Sequence, residues 1–456
     1  MRKIIKPLAA SCLMMLTCAP VTAESLSDAV RFALKDNPSV KASQADMRAT
    51  AYEMMSLRGE FLPTLDLVGE YGYQKVDDTT LSAADNDTTK SRSRIGLNGK
   101  VVIFDGLRRA NLVYAEGARV DGSIFRLLDA SETLALNATE AYIDVVRHQT
   151  LLEVARRNVE KHREIGRRVA DLVAGGRLPY SDELTIDDRI NSARVAQLEV
   201  ERSLRDAVAR YVRVIGRSPS GAMALASARV PASLDALTQA AITNNNRILF
   251  SQTEVDRSKH REQAVIADAA PVVSFNYGLN RELNRNGVTA QRNDAYIGLG
   301  VTWKLYQGGR KAERNAMAER SYKANYEREV AVRDVSELAA RSWINLTSNS
   351  ERTAILTQQL QINRTIVEVY GEEFDAAKRT LLDLLEVERA RFNVEFQKVS
   401  SDASLAFSTY RVLAAQGTLV EHFGVKKTDI APIPGFQKQA LTSPMSVFDV
   451  AIEPLK

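Results

Sequence analysis

The chain has 456 residues, 45% of them hydrophobic and 26% charged, with a formal net charge of +4. That composition supplies a sizeable core and carries no excess of charge that would force disorder. A charge so near neutrality, falling to +1 once the three cations of the first 23 residues are removed, speaks against a nucleic-acid binder.

In residues 1–23, Arg2, Lys3 and Lys6 precede an apolar run from Leu8 to Leu16, and Val21-Thr22-Ala23 offers the small residues a signal peptidase needs. The reading is a signal peptide cut before Glu24. Both cysteines, Cys12 and Cys18, fall inside it, so the exported protein is expected to hold no thiol and no disulfide. Thr17 is a poor residue before an acylated Cys18, and the non-lipidated form is preferred. After Ala23 no apolar run approaches the roughly 20 residues of a membrane helix, so any membrane insertion must use strands.

The rest divides into two copies of one plan. Ser25-Leu26-Ser27-Asp28-Ala29 is matched by Ser233-Leu234-Asp235-Ala236-Leu237, and Pro63 by Pro271, both at an offset of 208 residues. "FDGLR" from Phe104 is matched by "YQGGR" from Tyr306. The expected units are a first repeat at 24–216, a linker at 217–232, a second repeat at 233–420 and a C-terminal tail at 421–456. Asn245-Asn246 stands where the first repeat has Asn37-Pro38, which weakens the match there.

In each repeat a helix ends near the proline and a hairpin follows, at about 64–104 and about 272–306. Leu65, Leu67, Tyr71 and Tyr73 alternate with Thr64, Asp66, Glu70 and Gln74, a period of two with one apolar face. Ile95-x-Leu97, Val273-x-Phe275-x-Tyr277-x-Leu279 and Ala295-x-Ile297-x-Leu299-x-Val301-x-Trp303 repeat the pattern. Each segment is about 10–12 residues, the length of a tilted membrane strand, and Tyr71, Tyr73, Tyr277 and Trp303 are expected near its rims. Two soluble hairpins would need a further apolar layer to cover them, and the remaining sequence is polar-faced helix. Four strands cannot close a barrel, and an open edge in lipid leaves backbone groups unpaired, so the chain is expected to oligomerise.

From Ala110 to Val173 the positions 110, 113, 117, 120, 124, 127, 131 and onward alternate steps of three and four and carry apolar or small residues. This 3.5-residue repeat predicts a coiled coil from about Leu107 to about Val173, some 100 Å long at 1.5 Å per residue. A counterpart runs from about Arg310 to about Ala376, with return helices at about Ser181 to Ile215 and about Leu381 to Gln416. His148, His162, His260 and His422 are scattered singly; the first two lie on the seam, where polar residues set register. Neither a catalytic constellation nor a metal or cofactor site is expected. The segment after about Val425, with Pro432, Pro434 and Pro444, has no seam and is expected to pack peripherally.

The signal peptide, the duplicated helix–strand–strand–helix plan, Asn37-Pro38, Leu62-Pro63, the two glycine turns and "KRTLLDLLEVERARFN" together resemble the TolC family of outer-membrane channel-tunnel proteins, over nearly all of the exported chain. The resemblance implies a mixed α/β membrane protein. Three copies form a homotrimer with a 12-stranded barrel in outer-membrane lipid and a periplasmic α-barrel of long coiled-coil helices. It implies a passive exit duct for drugs or type I secreted proteins, with no chemistry of its own. Its partners would be a periplasmic adaptor (membrane fusion) protein and an inner-membrane RND or ABC transporter. A periplasmic coiled-coil scaffold or adaptor protein without a membrane barrel is the alternative.

The resemblance also places a periplasmic gate at Asp383, Glu386, Arg379 and Phe374, facing Asp182, and an adaptor contact at Gly175, Gly176, Leu178 and Pro179. Phe374 stands where related channels often carry a tyrosine, so no hydroxyl is available there. From the residues alone, Thr380-x-x-Asp383 reads equally well as a capping box and Glu386 as a solvated acid near a helix start.

Overall fold

The computed structural model describes residues 24–442; the signal peptide and Pro444 lie outside the described residues. The elements follow one order twice. Two short helices, α1 (Leu26–Asp36) and α2 (Pro38–Gly59), lead into β1 (Thr64–Lys75) and β2 (Thr89–Phe104), then α3 (Arg108–Ala174) and α4 (Tyr180–Ile215). The second set is α5 (Leu234–Asn244), α6 (Asn246–Ala267), β3 (Val272–Leu283), β4 (Gln291–Thr302), α7 (Arg310–Asp375) and α8 (Leu381–Gln416). Three short helices follow among the described residues: α9 (Leu419–His422), α10 (Lys427–Ile430) and α11 (Phe436–Thr442). No described helix is long and apolar enough to cross a membrane.

The two copies are built by the same local chemistry. Ser25 and Ser233 cap α1 and α5, each hydroxyl accepting from a backbone N–H three residues on, at 3.1 and 3.2 Å. Asn37 and Asn245 cap α2 and α6, accepting from Ser39 and Arg247 N–H at 2.9 and 3.0 Å. Each asparagine also donates its amide to the last turn of a return helix, Asn37 to Val214 and Asn245 to Ala415, at 2.9 and 3.0 Å. The missing proline at position 246 is therefore immaterial, because the asparagine carries the joint.

The long seam on α3 is realised: Ala110, Val113, Val120, Ile124, Leu127, Ala138, Ala141, Val145, Ala155 and Val159 are all buried. Small residues there let neighbouring backbones approach closely. His148 and His162 each turn Nδ1 to the carbonyl one turn back, at 2.8 and 2.9 Å, so each ring is anchored to its own helix. In the half nearer the strands the helices run side by side as α2, α3, α6 and α7; in the other half they run as α4, α3, α8 and α7.

The C-terminal segment is docked more firmly than its composition suggests. Asp121 of α3 accepts from the N–H groups of Gly435, Phe436 and Gln437 at 2.7, 2.9 and 3.1 Å, capping α11, and Gln44 donates to Ile430 carbonyl at 3.0 Å. A second buried acid, Glu132, accepts from Leu419 and Val420 N–H at 3.1 and 3.3 Å. Burial raises its pKa to about 7 from 4.5, against those donors. The folded state thus holds this proton more tightly than the unfolded chain. The resulting stabilisation is complete below pH about 4.5 and is lost as pH rises through about 7. Glu132→Gln is expected to flatten the fall in thermal midpoint between pH 4.5 and 7.5, which at native sequence corresponds to roughly 3 kcal/mol from this group.

Candidate functional site

The four strands form one antiparallel sheet in the order β1-β2-β3-β4. β2 and β3 join the two hairpins, with Leu97 opposite Leu279 and Gly99 opposite Tyr277. β1 and β4 are left as free edges. β2 runs to 16 residues, longer than expected, with a register shift between Val102 and Phe104 where it leaves the sheet.

One face of this sheet is apolar and bare. Leu67 is 74% exposed, Ile297 79% and Leu299 70%, and Leu65, Ile95, Leu279, Val301 and Trp303 share that face without a covering layer. Burying such side chains is worth about 1.5–3 kcal/mol each, so a water-facing sheet would forfeit a large part of the stability of the fold. Tyr71 and Tyr73 lie toward the loop end of β1, and Trp303 lies at the other end, where Nε1 donates to Ala269 carbonyl at 3.1 Å. Tyr277 is in mid-strand instead: its ring lies over Gly99, where a Cβ would come within 2.2 Å of it. Glycine at 99 lets an aromatic ring cover the sheet from the next strand.

The opposite face is polar. Asn280 donates to Asn98 at 3.3 Å, Tyr296 hydroxyl reaches the same oxygen at 3.3 Å, and Arg94 pairs with Glu282 at 3.4 Å.

Roughly 100 Å away along α3, the helices end in two turns of one geometry. After α3, Gly176 takes φ +70° and its N–H donates to Val173 carbonyl at 2.9 Å; after α7, Ala377 takes φ +57° and donates to Phe374 carbonyl at 2.9 Å. Alanine pays about 1–2 kcal/mol for that left-handed backbone, which glycine avoids. Gly175, Leu178 and Pro179 complete the first turn at the extreme tip, Gly175 exposed and Leu178 partly so.

Around these turns all four helices meet in one apolar cluster. Ile165 and Val169 of α3, Ile186 of α4, Phe374 of α7 and Leu381, Leu384 and Leu385 of α8 are buried together. Phe374 acts there as a packing residue, 4% exposed, and needs no hydroxyl. Asp383 forms a capping box: Thr380 Oγ1 accepts from Asp383 N–H at 3.2 Å, and Asp383 Oδ2 accepts from Thr380 N–H at 3.2 Å. The Thr380 hydroxyl also donates to Asp383 Oδ2 at 2.8 Å, and this bond first, then the one from Thr380 N–H, holds the Asp383 carboxyl below the usual aspartate range. Glu386, one turn on, is exposed and 3.4 Å from Arg389.

Asp182 occupies the matching place in the first turn of α4. Within one chain Arg379 turns to its own hairpin rather than to Asp182. Its Nε donates to Glu373 at 2.8 Å and its guanidinium lies 4.3 Å over the Tyr370 ring. The short connection between α7 and α8 puts Glu373 within reach.

One feature escapes sequence reading. Glu388 and Glu395, seven residues apart on α8, share Arg391, with N–O distances of 2.9 Å to each, and Arg157 of α3 binds Glu395 at 3.0 Å. With Arg168 bound to Asp375 at 3.4 Å, these pairs link the two helical hairpins above the tip. The seven-residue spacing was the available signal, but acids on a seam read as solvated until their partners are placed.

A family model described as outer membrane efflux protein matches residues 29–217 and 237–418. The outer membrane efflux protein BepC of Brucella suis is 22% identical over 426 residues, covering 91% of this chain and 91% of its own. The outer membrane protein TolC of Vibrio cholerae is 22% identical over 436 residues, covering 92% of this chain and 97% of its own. Among solved structures, the CmeC outer membrane channel of Campylobacter jejuni overlays with a TM-score of 0.74 at 15% identity, covering 93% of this chain and 90% of that one.

Proposed function

The chain belongs to the outer membrane efflux protein family, an export duct of the outer membrane with a large periplasmic helical part, and from that premise we propose how it works as a trimer. Three copies, each giving four strands, close a 12-stranded barrel, β4 of one copy pairing with β1 of the next. The observation that carries this reading is the bare apolar face between two unpaired sheet edges, which only lipid on one side and further strands at both ends can satisfy. The outer helices agree with it. Ile355, Ile362 and Val369 on α7, and Leu184, Val195 and Leu198 on α4, leave exposed apolar stripes at seam spacing on the two helices that flank a neighbouring copy.

The duct is passive, and its periplasmic tip is the gate. Phe374 and its cluster close the wall, while Asp383, Glu386 and Asp182 crowd carboxylates toward the pore axis and Arg379 moderates them. A periplasmic adaptor docks at the turn of Gly175, Gly176, Leu178 and Pro179 and couples the duct to an inner-membrane RND or ABC transporter, for drugs, toxic compounds or type I secreted proteins.

Planar-bilayer conductance of the purified trimer tests this, combined with a change of charge at the tip. Asp383→Asn with Glu386→Gln keeps size and helix face while removing six charges per trimer. Block of the channel by trivalent cations added at the tip side is expected to weaken by tenfold or more. Unchanged block would leave these acids as helix caps and place the gate elsewhere.

A further inference from the structure

Where α6 runs between α3 and α7, just below the strands, the wall holds a cleft of about 670 Å³ whose lining is dominated by cations. Arg108, Arg257, Arg261, Arg310, Arg320 and Lys323 face it, against Glu254, Asp268, Glu313 and Glu327. Three of the four carboxylates are engaged: Glu254 with Arg257 at 3.1 Å, Glu327 with Lys323 at 3.4 Å, and Asp268 with Lys304 at 3.7 Å. Among the described residues Arg108, Arg261, Arg310 and Arg320 form no ion pair; Glu116 and Glu254 act on Arg261 only from a distance, and Arg310 donates to Lys304 carbonyl at 2.8 Å. Two donors, Arg257 Nε and Arg310 Nε, are buried without a hydrogen-bond partner. Buried donors of this kind cost free energy until something accepts from them. Arg261 is less basic than a free arginine, through burial first and then the neighbouring Arg257 charge.

The cleft opens on the channel side. α5 packs its Leu237 and Ala241 on Ile248 of α6 and on Val335 and Ala339 of α7. At 100° per residue, Ile248 lies about half a turn from Arg257, Arg261 and Asp268. A helix layered on the inner face would obstruct the bore, so α5 lies outside and the cleft inside. Lys304, which binds Asp268, also continues the parity of Thr302, on the polar face of the sheet.

We propose that this cleft is an oxyanion-binding site on the lumenal wall below the barrel, taking solutes that carry phosphate groups as they pass. Guanidinium forks match phosphate oxygens two at a time, and three copies would ring the bore with the excess positive charge. The proposal rests on the duct reading for which side the cleft faces, but not for whether it binds.

The test uses detergent-purified full-length trimers titrated calorimetrically with inorganic tripolyphosphate, and the same protein in neutral phosphatidylcholine bilayers. Native trimers are expected to bind, with one site per chain, and tripolyphosphate is expected to lower single-channel conductance. Arg261→Gln with Arg310→Gln should weaken binding by about tenfold or more. Arg320→Gln, whose guanidinium donates to the Met317 sulfur at 3.7 Å and forms no ion pair among the described residues, should weaken it severalfold with little folding risk. Glu313→Gln should tighten binding severalfold, a gain that misfolding cannot imitate. No binding to native trimers, or equal binding by all variants, overturns the site. Binding displaced by phosphatidylglycerol vesicles with conductance untouched moves the cleft to the lipid side and overturns the lumenal assignment. Channels that conduct normally but bind nothing sink this proposal and spare the duct, whereas binding without any conductance does the reverse.

Discussion

Ile297→Arg is expected to remove most of the heat-resistant trimer from outer-membrane fractions. The side chain lies on the bare face of β4, opposite Tyr277 of β3 and well inside the strand. An arginine on the lipid face of a barrel costs about 2–4 kcal/mol near the bilayer midplane. Because each trimer carries three copies, the penalty reaches roughly 6–12 kcal/mol per assembly, comparable with the whole stability of a domain. Leu67→Arg, on the same face of β1 opposite Leu97, should behave alike. Asn276→Arg places the same cation on the polar face and should leave the yield near native. Equal yields for the three variants would mean that the apolar face does not meet lipid.

Phe374→Ala is expected to open the periplasmic tip. Truncating a buried phenylalanine costs about 3–5 kcal/mol through lost contacts and the cavity left behind. The loss falls on the one cluster that joins α3, α4, α7 and α8 beside the turns. The trimer should still assemble, since its strands and long seam are untouched, while the resting single-channel conductance rises severalfold. Phe374→Leu keeps most of the volume and should produce a much smaller rise. Conductance unchanged in the alanine variant would show that the tip is held closed by other contacts, with the hairpin-linking pairs of Glu388, Glu395, Arg157 and Arg391 the next to be removed.

The apolar strand faces and the seam of α3 were legible in the order of residues, because each depends on neighbours within a few positions; Ser25 and Ser233 marked the duplication, and the structure adds that both are helix caps. Periods of 2 and 3.5 report which face must leave water, whatever covers it. The capping box of Thr380 and Asp383 was legible for the same reason. The firm docking of the tail was not: Pro432 and Pro434 break the period, and the acid that holds it, Asp121, sits on α3, 314 residues before Gly435.

By itself the sequence determined that this is a duplicated chain of long coils and short amphipathic strands, with an apolar surface too large for water. Only the tertiary structure decided that β2 lies against β3, leaving β1 and β4 as the edges to be closed by other copies. It also decided that Arg379 turns to Glu373, that Glu388 is buried against Arg391, and that arginines from three separate helices converge on one cleft. Periodicity records the direction a side chain takes from its own backbone, whereas charge partners, strand neighbours and clefts depend on which distant segment arrives there, and that is settled by packing.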